Sequence, residues 1–317
     1  MADIPEEKLL IKPGVCANYL QDFRMSDDGE NFQYCHLALA NKRIEQLNKA
    51  VEDVKDVNEA AFENNSISDI KPLECMQRLV KLNLANNKIK GMNIFTVEES
   101  FPNLKWLDVS NNKLTEIPAI KLPKLEYLDI SHNKMEKINE QWTGHPNIRI
   151  LKSIDNKFKS LAPFKVMPRL EELYMASNAM HALTGWETLP MLKKLHLRRN
   201  KIDKIDEELP ELPSLEYLNL RSNKIPTLEV LLRIFQFPAL KDINVMKNPV
   251  EQDASHFNVI MADVLRKSTK LERFCKISVE ESSKLEAIYL AQFRYEKEQA
   301  EAKAKAAEEA AKQGEDE

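Results

Sequence analysis

The sequence predicts an α/β solenoid with a parallel concave sheet, short convex segments and a long C-terminal helix. Three observations predict it. The pattern L-x-x-L-x-L-x-x-N-x-L/I/M recurs along most of the 317 residues, proline stands two residues before the first leucine in seven successive copies, and the chain after Ser278 is composed of helix formers. A period of 20 to 25 residues is the mark of a stacked repeat.

The copies are LVKLNLANNKI from Leu79, LKWLDVSNNKL, LEYLDISHNKM, IRILKSIDNKF, LEELYMASNAM, LKKLHLRRNKI, LEYLNLRSNKI and LKDINVMKNPV from Leu240, with a weaker VNEAAFENNSI from Val57. HLALANKRI, with Lys42 at the asparagine position, reads as a degenerate opening copy. In L-x-L the side chains alternate across a strand, so the leucines enter the core and the intervening residues face outward. This is the leucine-rich repeat, and stacked copies make the horseshoe, each buried Leu or Ile contributing about 1.5–3 kcal/mol. The asparagines Asn65, Asn87, Asn112, Asn133, Asn156, Asn178, Asn200, Asn223 and Asn248 stand where the backbone leaves the strand. A carboxamide donates and accepts, so a stacked row of them satisfies the backbone groups freed there.

The prolines Pro102, Pro123, Pro146, Pro168, Pro190, Pro213 and Pro238 have a fixed φ and no N–H, which suits a residue leading into a strand. Four segments are expected: an N-terminal cap over 1–33, about ten repeats over 34–250, a C-terminal cap over 251–277 and a charged helical tail over 278–317. The cap contains a helical pattern at Phe257, Ile260, Met261 and Val264, closed by Leu271 and Phe274. In the tail, Ser278 and Glu281 read as a capping box, and an apolar stripe runs through Leu285, Ile288, Tyr289 and Phe293. That stripe is expected to dock on the cap or on a partner, with the alanine- and charge-rich remainder projecting.

Composition narrows the function. The net charge of −4 includes no basic footprint of the kind nucleic-acid binding needs. The N-terminus has acidic residues where a signal peptide has basic ones, and no apolar run reaches membrane-spanning length, so a non-exported protein without a membrane segment is expected. Cys16, Cys35, Cys75 and Cys275 are scattered and expected as free thiols. The six histidines fall on different turns, there is no glycine-rich phosphate loop, and no catalytic, cofactor or metal constellation is visible. No small-molecule substrate is implied; a non-enzymatic protein is expected.

The outward strand positions give the candidate site. Trp106, Tyr127, Ile150, Ile154 and Tyr174 gather on neighbouring turns, beside Asp129, Lys152, Lys194, His196, Arg198, Tyr217 and Arg221. Exposed aromatics with adjoining arginines are the composition of protein-binding hot spots. The expected partner is another protein, held on the concave face or by the tail stripe.

The repeat class resembles intracellular families that include phosphatase-1 regulatory subunits, the U2 spliceosomal A′ protein and axonemal dynein light chains. From LEELYMASNAMHAL through the N-P cap and KLERF to FRYEKEQAEAKAKAAEEA, order and spacing are similar to the leucine-rich-repeat-containing protein 23 family of ciliary radial spokes. The resemblance implies a non-enzymatic part of the radial spoke in the axoneme of motile cilia and flagella. There it would scaffold spoke head and neck subunits, with Leu285, Ile288, Tyr289, Phe293 and the segment to Ala311 as a contact. Two departures stand out: the long acidic N-terminal extension of vertebrate members is nearly absent, and Ser153 replaces a core leucine. The rival reading is a soluble regulatory subunit holding a phosphatase catalytic subunit on its concave face.

Overall fold

The computed structural model describes Gly14, residues 16–25, residues 32–253 except 163, 165, 185 and 186, residues 257–280 except 269, and most of 285–304. Thirteen strands form one sheet in strict chain order. They are β1 (Leu20–Met25), β2 (Phe32–Ala38), β3 (Glu59–Ala61), β4 (Lys81–Asn83), β5 (Trp106–Asp108), β6 (Tyr127–Asp129), β7 (Ile150–Lys152), β8 (Glu172–Tyr174), β9 (Lys194–His196), β10 (Tyr217–Asn219), β11 (Asp242–Asn244), β12 (Arg273–Phe274) and β13 (Ile277–Ser278). Pairing is parallel from β2 to β12 and antiparallel in the hairpins at the two ends.

The register repeats because one core residue repeats. Leu82, Leu107, Leu128, Leu151, Leu173, Leu195, Leu218 and Ile243 are aligned partners on adjacent strands, and all are fully buried. A slip of one residue would turn this row to solvent. The convex side uses short pieces, as expected: 3-10 turns, the five-residue α1 (Leu228–Leu232), and two-residue strand pairs at Glu116–Ile117 with Lys137–Ile138 and Ala182–Leu183 with Lys204–Ile205. Between the layers, Phe95 packs on Phe101 and Phe158 on Phe164, with ring centroids 5.4 and 5.6 Å apart.

The asparagines turn inward and link each turn to the one before it. Asn178 Nδ2 donates to Met175 O of its own turn at 3.2 Å and to Ser153 O of the preceding turn at 2.8 Å, while Oδ1 accepts from Phe158 N at 3.1 Å. Asn87, Asn112, Asn133, Asn200, Asn223 and Asn248 make the same three-way bridge. At the fifth turn Asn156 meets the Ser153 hydroxyl, 3.3 Å away, as well as Ile130 O. Asn65 is less buried and holds the degenerate opening copy, accepting from Lys42 N and Ile44 N, both at 3.0 Å.

Each of these asparagines follows a residue in the left-handed region: Asn64, Asn86, Asn111, His132, Asp155, Ser177, Arg199, Ser222 and Lys247, with φ between 51 and 61°. The reversal after each strand requires it, and not one of the nine is glycine, although a left-handed L-residue costs roughly 1–2 kcal/mol. Asn, Asp and His tolerate this geometry best. Arg199 and Lys247 are held in it by the flanking turn.

The prolines lead into the strands as expected, through a turn that the sequence did not specify. Six occupy the second position of a β-turn that finishes before the strand, as in Leu104 N to Phe101 O (3.2 Å) across Pro102 and Leu192 N to Leu189 O (3.2 Å) across Pro190. Their fixed φ matches that turn position. At Pro146 the residue ahead is His145, whose Nδ1 accepts from Ile148 N at 3.2 Å while Nε2 donates to Leu122 O at 3.0 Å.

Two expected boundaries move. Residue 33 lies inside β2, which is at once the antiparallel partner of β1 and the parallel partner of β3, so the N-terminal closure and the first turn share a strand. Ser278 is not a helix cap: it lies in β13 opposite Arg273, and Val279 behind it is buried. Ahead of this hairpin come α2 (Val250–Asp253) and α3 (Phe257–Lys267), with Ala262, Val264 and Leu265 buried, then Leu271 and Phe274. The described residues within 285–304 are helical, and Leu285, Tyr289 and Phe293 are exposed; Ile288 lies outside the described residues, as does the tail beyond 304. The four cysteines are free thiols; burial pushes Cys275 up to about 11, above the ordinary thiol range.

Candidate protein-binding face

The aligned strands place the outward residues in three columns across the concave face. Lys81, Trp106, Tyr127, Ile150, Glu172, Lys194, Tyr217 and Asp242 are register partners in the first. Asn83, Asp108, Asp129, Lys152, Tyr174, His196, Asn219 and Asn244 fill the second. Ile154, Arg198 and Arg221 lie in the third, two residues beyond the second.

Neighbouring turns then stack their side chains. Trp106 lies on Tyr127 with centroids 5.0 Å apart and planes at 9°, and Lys81 Nζ covers the indole at 5.1 Å. Lys152 Nζ sits over Tyr127 at 5.1 Å and over Tyr174 at 5.8 Å. Tyr174 stacks on His196 at 4.4 Å, and His196 meets Tyr217 at 4.8 Å. The strand spacing of about 4.8 Å sets this contact distance. Trp106, Tyr127, Tyr174 and Tyr217 are therefore half-buried members of a ladder crossing six strands, where the sequence suggested a looser aromatic cluster. Ile150 and Ile154 are also half-buried.

Polar groups fix the rings. Tyr174 Oη donates to Glu172 at 2.5 Å, and Lys194 Nζ reaches the same carboxylate at 2.8 Å. Tyr127 Oη donates to Asp129 at 3.3 Å, while Asp129 also accepts from Ser131 N. Burial, helped by the adjoining carboxylates, raises both phenols well above the ordinary tyrosine range, so they remain donors. Burial lowers the pKa of His196, which leaves a neutral ring in the stack at neutral pH. Burial raises the Asp108 carboxyl against the opposing Ser110 hydrogen bonds. For Glu172 burial works upward too, but Lys194 and Tyr174 outweigh it and the carboxyl ends below its usual value.

A feature missed in the sequence borders this face. One residue ahead of the first column, Lys105, Glu126, Arg149, Glu171, Lys193, Glu216, Lys241 and Glu272 alternate in sign. Arg149 pairs with Glu171 at 2.7 Å, Lys193 with Glu171 at 3.0 Å and Lys241 with Glu216 at 3.1 Å. Such surface pairs are worth about 0–1 kcal/mol each, yet their alternation favours the observed order of neighbours. Arg149, Glu171, Lys193, Glu216 and Lys241 thus pair their charges with one another. The sign alternation from Lys105 to Lys241, at 21- to 25-residue intervals, was visible in the sequence once the copies were aligned.

Among the described residues no group of three or more His, Cys, Asp or Glu is placed to hold a metal ion, and no helix is long and apolar enough to cross a membrane. What the face offers is aromatic area, with rings fixed by hydrogen bonds to neighbouring carboxylates, and cations.

Comparison with known proteins places this geometry. A family model described as leucine-rich repeats in two copies matches residues 102–141, and a second leucine-rich repeat model matches 169–307. The chain is 32% identical to podocan of Mus musculus over 158 residues, covering 47% of this chain and 25% of that protein. It is 30% identical to leucine-rich repeat-containing protein 23 of Homo sapiens over 126 residues, covering 39% of this chain and 36% of that protein. The matches thus span about a quarter to a third of these relatives. Among solved structures, a TLR13–ssRNA13 complex superposes with a TM-score of 0.62 at 20% identity over 76% of this chain and 38% of that one. A Leptospira interrogans leucine-rich repeat protein gives 0.56 at 22% identity over 76% of this chain and 66% of that one.

Proposed function

This chain is a leucine-rich repeat protein, and on that premise we propose that it is a non-enzymatic scaffold of the ciliary axoneme, a radial spoke component that binds spoke head or neck subunits. The single observation that supports the ciliary reading is the similarity to leucine-rich repeat-containing protein 23 over 126 residues, together with the family resemblance of the C-terminal repeats and tail. The stacked concave face is the partner surface in this reading, because aromatic rings already ordered by their neighbours lose little entropy on binding. The exposed Leu285, Tyr289 and Phe293 of the tail give a second contact. The protein then resides in the cytoplasm and the axoneme and needs no cofactor.

Fractionation tests the proposal. Retention of the chain with detergent-extracted axonemes is the expected outcome. Recovery wholly in the soluble fraction, bound to a phosphatase catalytic subunit, would favour the regulatory-subunit reading instead. Replacing Trp106 and Tyr127 together by alanine removes the stacked ring pair at one end of the ladder and is expected to reduce partner recovery at least tenfold; unchanged recovery would reject the concave face as the partner surface.

A further inference from the structure

The charges on the C-terminal half of the concave face are unevenly matched. Glu172 is held by Lys194 and Tyr174, and Asp242 by Arg273 Nε at 2.8 Å. Arg198 and Arg221 have no such partner. They are third-column neighbours, since Arg199 N donates to Arg221 O at 2.9 Å and Leu197 N to Asn219 O at 2.8 Å. Among the described residues neither guanidinium makes an ion pair or a hydrogen bond, and the Nε of each is buried without an acceptor. Both side chains are half-buried. Two adjacent like charges, partly desolvated and unpaired, are costly in the free protein and relieved by an anion.

We propose that Arg198 and Arg221 bind an acidic peptide segment of a partner protein, whose carboxylates two residues apart seat on the two guanidinia. The spacing supports the match. Adjacent strands lie about 4.8 Å apart, and alternate side chains of an extended peptide project on one side about 6.6 Å apart, a difference that two arginine side chains span. Arginine forms planar, two-pronged bonds with carboxylates. The Tyr174, His196 and Tyr217 stack lies alongside and would take the apolar residues of the same segment. Single-stranded nucleic acid also uses cations beside aromatic rings, but the neighbouring Glu172 and Asp242 and the ion-paired border favour a peptide with discrete carboxylates over a continuous polyphosphate.

This inference rests on the concave face being the partner surface, and the experiment separates the two. The full chain is titrated against a fluorescein-labelled peptide alternating glutamate and alanine, its counterpart with lysine for glutamate, and a labelled single-stranded RNA, with anisotropy as the readout. The glutamate peptide is expected to bind, at least tenfold more weakly to the double variant R198Q/R221Q, while R198E/R221E gains binding of the lysine peptide. That gain cannot arise from misfolding. Glutamate-peptide binding unmoved by R198Q/R221Q but lost on replacing Trp106 and Tyr127 by alanine overturns the arginine assignment and leaves the concave-face reading standing. Binding unmoved by both variants overturns the two together. Binding of RNA alone, or no preference for glutamate over lysine, also overturns the proposal.

Discussion

The ladder asparagines and His145 show how single side chains carry backbone accounting in this chain. Replacing Asn178 by alanine leaves Phe158 N–H and Ser153 C=O without their partners. A loss of roughly 1–3 kcal/mol for each buried group left unpaired is expected, read as a lower denaturation midpoint at unchanged slope. His145 fills a position that holds a buried apolar residue before proline in the other six turns, Phe101, Leu122, Met167, Leu189, Leu212 and Phe237. Its burial holds the imidazole pKa below the ordinary 6.5, against the pull of the Leu122 hydrogen bond. The unfolded chain therefore takes up this proton first. The stability that the neutral ring contributes is complete above about 6.5 and falls as the pH drops through that value toward the lowered folded pKa. Denaturation of the wild type and His145→Gln at pH 7.5 and 5.5 is expected to show a smaller pH-dependent loss in the variant; equal losses would exclude His145 as a source. The asparagines were legible from spacing alone. The histidine was not, because in sequence it is one of six scattered rings and only its place in the turn-and-proline pattern marks it as core.

At the scale of the element, a turn of this solenoid is made of a three-residue strand, a left-handed reversal and a proline turn. Only Gly144 among the described glycines is fixed by close approach: a Cβ there would lie 2.2 Å from Val166 O, where the two residues form a bridge, and its φ is 105°. Backbone cannot move aside as a side chain can. Gly144→Ala is expected to cost about 1–3 kcal/mol or more, measured by thermal or chemical unfolding, whereas Gly91→Ala, whose added Cβ meets nothing nearer than 4.0 Å, stays near wild type. The strands were readable because period two and the L-x-L motif name the buried face. The nine left-handed residues were not, because glycine, the usual sign of that conformation, is absent from all of them. The proline rows were seen, but their place in a completed turn depends on the hydrogen bond across them.

For the whole molecule, each turn contacts its neighbours, so the sequence of one turn determines little until the turns are stacked. The amino-acid sequence by itself determined the repeat, the buried leucine row, the asparagine row and the three outward columns, because all of these follow from a fixed period acting on alternating side chains. Only the tertiary structure decided what the columns do to one another. Trp106 and Tyr127 are 21 residues apart in the chain, and their stacking exists because parallel register brings them one strand spacing apart. It decided also that the ends close with antiparallel hairpins, since Phe32–Ala38 and Ile277–Ser278 carry no signal of which neighbour they pair with. And it decided which charges remain free: the formal charges of Glu172, Lys194, Asp242, Arg273, Arg198 and Arg221 are equally plain in the sequence, but pairing is a matter of distance, and distance across turns is set by the stack.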